Sequence, residues 1–380
     1  MQGIGPALII PNSIAILGVL YPDEGLKKNV VFGLFGSLAP AGFVFGCAIS
    51  ALFGQLSWWP WAFWTVGILC AFIGFLTAVA VPELASGKPE GHSARELDLV
   101  GSALAVSGLM LVNIAWNQAY VVTWSEPYNG IFLGLGILLV TAFIWWETRA
   151  ENPLVPTKYF TWQSTMTLII ISAGFASFGI WEYYYFEFAQ LLRGSSPLAV
   201  TAQFTPVIVS GAIAAICSGF ILDWAGASFV LLYAMLAFCV GLILLATMPI
   251  RETYWARSFV SMIIVPWGVD AAFPSSTIIL ANQFPQEHQG AAASIVNTLV
   301  NYSISLGLGA FVLQALAHLY PADRFVGIAG TVEANVGQGD TDPLRRYRGA
   351  FWTGVGLAGL GVLLAVTSWA LSTRRTQKVR

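Results

Sequence analysis

The chain has 380 residues, of which 57% are hydrophobic and only 9% charged, with a net charge of −2. A soluble domain carries about 25% charged residues, so a soluble globule is excluded and a lipid bilayer is the solvent that fits. The near-neutral balance, with no basic patch interleaved with aromatics, also excludes a nucleic-acid groove.

A membrane-crossing helix needs about 20 mostly apolar residues. On that rule the runs lie near 3–20, 30–55, 60–81, 98–118, 128–147, 162–191, 197–221, 227–249, 255–282, 289–318 and 349–372, about eleven in all. The alternating segments of about 10 residues that mark a membrane barrel are absent. The expected class is therefore all-α and polytopic, an integral multi-pass membrane protein. Lys and Arg set the orientation of such a chain. If the tail holding Arg374, Arg375, Lys378 and Arg380 is cytoplasmic, so are Lys27, Lys28, Lys88, Arg95, Arg149 and Lys158, and that side collects ten of the 17 basic residues. An odd number of helices then places Met1 on the other side, without the basic n-region of a signal peptide.

In chain order, the run at 30–55 carries Gly42, Gly46, Ser50 and Gly54 at a spacing of four, a smooth ridge that a second helix can approach closely. Pro40 precedes it and removes one backbone donor, which should bend the helix. Asn113 and Asn117 share one helix face, with Trp116 between them; they line a path or bond to a neighbouring helix. In GIWEYYYFEFAQLL, Glu182 is deeper and Glu187 nearer a helix end. The surrounding Trp181, Tyr183, Tyr184 and Tyr185 suit a cage for a cation or an interfacial belt. Asp270 lies well inside the run 255–282, in VPWGVDAAFP. A charge near the bilayer centre costs several kcal/mol, so it faces a cavity or a partner. Pro266, Gly268 and Pro274 around it should kink the helix and free carbonyls. Asn297 and Asn301 form a second amide pair, with Ser294 one turn before.

The cysteines Cys47, Cys70, Cys217 and Cys239 sit singly in apolar runs and read as small buried hydrophobes. His92, His288 and His318 are too far apart in the chain to suggest a ligand cluster. No phosphate-cradling GxxxxGK[ST] loop, GxSxG elbow or HExxH occurs, so neither ATP, a cofactor, a metal nor an enzymatic reaction is indicated.

The stretches QGIGPALIIPNSIAILG, LFGSLAPAGFVFG with SWWPWAFW, and PWGVDAAFPSSTIILANQFPQEHQGAAASIVNTLVNYSISLGLG resemble the major facilitator superfamily, in its fourteen-helix drug:proton antiporter branch. They are closest in kind to the fungal carriers related to aminotriazole-resistance and low-affinity ammonium transporters. In that family an arginine, two further residues and Gln-Gly open the fourth helix. Gln2-Gly3 would stand at that point, so the resemblance implies three helices upstream of Met1, and an N-terminally truncated chain. The implied layout places the second half of an N-terminal bundle at 1–81, a cytoplasmic loop and two linker helices at 82–148, a six-helix C-terminal bundle at 160–373 and a basic cytoplasmic tail at 374–380.

The family's antiporter signature has Gly-Pro where this chain has Ala39-Pro40. Gly219, Asp223 and Gly226 resemble the second copy of the superfamily's cytoplasmic loop motif, without its following cations; a gating latch and a plain turn with a cap both suit them. The expectation is a secondary transporter of the plasma membrane, or of a vacuolar membrane, working as a monomer. It would exchange a small solute or drug for protons by rocking two bundles about a central site. Asp270 would be the proton or substrate carboxylate, Glu182 the second, and Asn297 and Asn301 would orient solute. The alternatives are a facilitator of ammonium or a similar small polar solute without antiport, and a membrane protein that does not transport.

Overall fold

A computed structural model describes residues 3–20, 26–80, 98–122, 126–151, 153–155, 157–285, 289–308 and 343–379. Among them the chain forms eleven long α-helices and no strand. They are α1 (Ile4–Leu20), α2 (Leu26–Leu56), α3 (Pro60–Ala80), α4 (Leu99–Val122), α5 (Pro127–Glu147), α6 (Trp162–Glu187), α7 (Pro197–Ala225), α8 (Ala227–Ala246), α9 (Arg257–Ala281), α10 (Gln289–Leu308) and α11 (Pro343–Val379). Ten are long and apolar enough to cross a membrane; α1, at 17 residues, is the shortest of the eleven. Helices are the form such segments take because lipid offers no partner to an unpaired backbone group. The chain is a multi-pass integral membrane protein.

The ends follow from local chemistry. Thr161 and Ser164 form a reciprocal capping box at the start of α6. Ser196 caps α7 just ahead of Pro197. Gly226 closes α7 and opens α8 at φ 80°, ψ 159°, a region essentially reserved for glycine. Polar flanks extend α11 beyond the apolar run 349–372 at both ends. At its far end α6 passes into a π turn, Phe188–Leu192. The three histidines, the loop 81–97 and the stretch 309–342, with the outer part of the run 289–318, lie outside the described residues.

Helices α6 to α11 pack into one bundle, α2 lies along α7, and the α4–α5 hairpin lies against α10. The core between them holds Ile170, Ile180, Leu231, Met235, Phe238 and Leu242, all essentially inaccessible. Glycines set how closely these helices approach. A Cβ on Gly268 would lie 2.9 Å from the Phe238 ring and 3.0 Å from the Ala234 carbonyl; one on Gly179 would lie 2.8 Å from the Ile304 carbonyl. The ridge expected on α2 behaves differently. A Cβ on Gly42, Gly46 or Gly54 would meet nothing within 4 Å among the described residues. The close approach expected there is made instead by glycines of α6 and α9.

Candidate functional site

Two adjoining cavities run between α2, α6, α7, α9 and α10. The inner one, of about 410 Å³, is lined by Pro40 and Phe43 of α2, Phe178, Trp181 and Glu182 of α6, Pro266 and Asp270 of α9, and Asn301 of α10, among others. The outer one, of about 570 Å³, is lined by Cys47, Ser50 and Gly54 of α2, Glu182, Tyr183 and Phe186 of α6, and Thr201 of α7. Phe43, Glu182 and Ile304 belong to both, so Glu182 stands at their junction.

Asp270 and Glu182 are therefore brought to one cavity from helices far apart in sequence. Neither carboxylate receives a hydrogen bond or an ion pair among the described residues. No Lys, Arg or His of the described residues lines either cavity. The walls are aromatic and aliphatic: Phe178 stacks on Trp181 at 5.7 Å, and Phe43 meets Phe204 edge-on at 5.6 Å. A carboxylate with no counter-ion in an apolar chamber attracts a cation or a proton strongly, because little water screens it.

Hydroxyls bond helix carbonyls close to the prolines beside the site. Ser210 of α7 donates to the Ile263 carbonyl, three residues before Pro266, at 2.6 Å. Ser275 donates to the Ala271 carbonyl, three residues before Pro274, at 2.7 Å. Tyr254 donates to the Gln203 carbonyl, three residues before Pro206, at 2.7 Å. Helices α7 and α9 are each continuous through their prolines; the bond each proline removes is the one to the carbonyl four residues before it, and the hydroxyls bond the next carbonyl along.

The other candidates fall elsewhere. Asn301 lines the inner cavity and donates to the Asn297 carbonyl at 2.9 Å; Asn297 borders neither cavity. Glu187 accepts from the Tyr183 hydroxyl at 3.2 Å and also lies away from both. Asn113 donates to Ser305 Oγ at 2.8 Å and Asn117 to the same atom at 3.2 Å, while Trp116 donates to the Leu306 carbonyl at 2.9 Å. This amide pair thus docks α4 on α10, away from the cavities. The aromatic cluster splays apart. Trp181 donates to Ser261, Tyr185 bonds Gln203, Tyr184 packs on Tyr347, and only Tyr183 and Trp181 reach a cavity. Gly226 makes the turn between α7 and α8, whereas Asp223 is exposed and caps neither helix; a Cβ on Gly219 would meet nothing within 4 Å among the described residues.

Sequence reasoning missed Gly211, whose bare Cα lets Asp270 and Pro40 come close, and Arg193. The latter donates to the Ile250 carbonyl at 3.0 Å, to Ser258 Oγ at 3.2 Å and to the Pro249 carbonyl at 3.3 Å, tying the end of α6 to the α8–α9 turn. Burial holds the Arg193 guanidinium below its ordinary value. A single arginine next to an apolar run carries no pattern that would mark it. All four cysteines are free, with Cys47 on the outer cavity wall. Among the described residues no three His, Cys, Asp or Glu side chains gather as a metal site would require.

A polytopic helical bundle around a cavity that holds two carboxylates without a partner among the described residues suits a membrane carrier. Residues 1–310 match the family described as Major Facilitator Superfamily, and the chain belongs to that family. It is 44% identical over 382 residues to the low affinity ammonium transporter of Saccharomyces cerevisiae, covering 100% of this chain and 70% of that one. It is 41% identical to the efflux pump terJ of Aspergillus terreus, over 96% of this chain and 67% of that one. The aminotriazole resistance protein of S. cerevisiae is 35% identical over 96% of this chain and 64% of its own length. The chain thus spans about two thirds of the length of these relatives.

Proposed function

We propose that this transporter moves a small cationic or weakly basic solute in exchange for protons, by alternating access around the inner cavity. The observation that carries the reading is the pair Asp270 and Glu182, unpartnered among the described residues and set on one apolar cavity without a basic side chain. Proton and solute would compete for the same carboxylates, and that competition couples their movements. Asn301 offers an amide to orient the solute, and Phe178 and Trp181 an aromatic face for its apolar part. Export is the proposed direction and the plasma membrane the proposed location. The resemblance to an efflux pump supports the direction. The test is Asp270→Asn, which should abolish solute movement driven by a pH gradient while the protein still reaches the membrane. Unchanged movement would remove Asp270 from the mechanism.

A second reading is passage of ammonium or a similar small polar solute without antiport. Its support is the identity to a low affinity ammonium transporter along the whole chain. Flux measured with the proton gradient collapsed separates the two: exchange stops, facilitated passage continues.

A further inference from the structure

A third cavity, of about 400 Å³, lies apart from the other two, between the start of α6 and the end of α11. Trp162, Gln163 and Met166 form one wall, and Leu364, Thr367, Ser368 and Leu371 the other. Trp162 is 66% exposed and Leu371 50%, so this groove opens to the surroundings of the bundle and not to its interior. The lining positions on α11 recur at three and four residues, which is one face of a helix. The helix continues to Val379. The next positions on that face are Arg374, Arg375 and Lys378. An apolar groove therefore leads, along one helix face, to three cationic positions within two turns. No acidic residue among the described residues lines the groove, and none occurs in the sequence of α11.

Two polar groups inside the groove are unspent. The Gln163 amide and the Ser368 hydroxyl have no hydrogen bond among the described residues. The Thr367 hydroxyl, by contrast, is taken by the Leu364 carbonyl at 2.7 Å. A ligand that fits needs an apolar chain, a polar middle and an anionic end, in that order along α11. With the basic tail on the cytoplasmic side, as the Lys and Arg distribution leads one to expect, this end of α11 lies where membrane lipids carry negative charge.

We propose that the groove is a binding site for one anionic phospholipid. Its acyl chain lies against Met166 and Leu364, with Trp162 and Leu371 at the exposed rim beside its upper part. Its ester region meets Gln163 and Ser368, and its phosphate is held at the level of Arg374, Arg375 and Lys378. A zwitterionic lipid brings a cation of its own to the basic end and binds less well. A soluble anion lacks the chain and leaves the groove unfilled. This site is independent of the transport reading, and its test reads lipid binding alone.

The test is native mass spectrometry of the purified full chain, titrated with phosphatidylserine and with phosphatidylcholine of the same acyl chains. Phosphatidylserine should be retained at least tenfold better. The combined variant Arg374→Gln, Arg375→Gln and Lys378→Gln should erase that preference. Ser368→Trp fills the groove and leaves the cations in place; it should lower phosphatidylserine retention to a similar degree. Leu371→Glu, at the exposed rim, should do the same and serves if the tryptophan variant fails to fold. Equal retention of the two lipids would overturn the site, as would a preference that survives the charge variant. Full retention in a folded Ser368→Trp or Leu371→Glu protein, or displacement of the lipid by soluble glycerophosphoserine, would place binding on tail charge alone and overturn the groove.

Discussion

The Asp270 carboxylate rests against the bare backbone of Gly211: a Cβ there would lie 3.0 Å from Asp270 Oδ2 and 3.1 Å from the Pro40 ring. Three helices, α2, α7 and α9, thus meet at one carboxylate, and the absence of a side chain on α7 keeps them close. Gly211→Ala is expected to lower transport several-fold and Gly211→Val to abolish it, with membrane insertion retained. Flux per molecule of protein at the cell surface is the measurement, and unimpaired transport in the valine variant would show that Asp270 has room to spare.

The proposed competition of proton and solute for Glu182 and Asp270 dictates a sign. A carboxylate binds a cation only when it has lost its proton, so the apparent KM for a cationic solute should fall as pH rises. Glu182→Gln should raise KM and flatten its pH dependence while leaving residual flux, because Asp270 remains. Initial rates across a pH series check both, and a pH-independent KM in the native protein would contradict the competition.

The docking of α4 on α10 through Asn113, Asn117 and Trp116 is a polar interface between apolar helices. Side-chain hydrogen bonds between membrane helices average about 0.6 kcal/mol each. Asn113→Ala with Asn117→Ala should therefore destabilise by about 1–2 kcal/mol and lower the melting temperature in detergent. Ser305→Ala should produce a smaller loss, non-additive with the pair, because the three groups share one bond network.

Two glycines of one motif separate conformation from contact. Gly226 sits at φ 80°, and a Cβ on Gly219 would meet nothing within 4 Å among the described residues. Gly226→Ala should cost about 1–3 kcal/mol, whereas Gly219→Ala, inside α7, should cost nothing and raise stability by up to about 1 kcal/mol. Paired thermal melts decide this, and equal effects would contradict the assigned role of the turn.

Tyr254 donates to the Gln203 carbonyl, and burial pushes its phenol up from 10.0 to about 12. It is therefore a neutral donor at physiological pH. Its stabilising effect is complete below pH 10 and is lost as pH rises through about 12, because the folded state holds the proton more tightly than the unfolded state. Tyr254→Phe should cost about 0.5–1.5 kcal/mol near neutral pH and soften the loss of stability in alkali, as followed by denaturation at pH 8 and above.

Much of this protein was legible in its residues. The apolar runs correspond to the eleven helices among the described residues, ten of them long and apolar enough to cross a membrane, because hydropathy over about 20 residues is the physical requirement for crossing a bilayer. Asp270 and Glu182 stood out for the same reason in reverse, since a carboxyl within such a run is costly and needs a cavity or a partner. Both do face the inner cavity. Other candidates carried two equally good readings. The amides Asn113 and Asn117 have the spacing of a shared face, yet that spacing does not say whether the face meets a cavity or a helix. Similarly, the glycine ridge of α2 looked like a packing surface but meets nothing within 4 Å among the described residues.

By itself the sequence determined the class, the approximate position of the helices among the described residues, and which carboxyls lie inside apolar runs. All of these follow from transfer of local segments into lipid, a property each segment carries alone. Only the tertiary structure decided which of those groups share a cavity, that Gly211 makes room for Asp270, and that Arg193 and Tyr254 bind carbonyls from distant turns. Those relationships depend on helix rotation and neighbour choice. Helices apolar on every side give no signal of which face turns inward, and the choice is made by small residues and hydroxyls at their contacts.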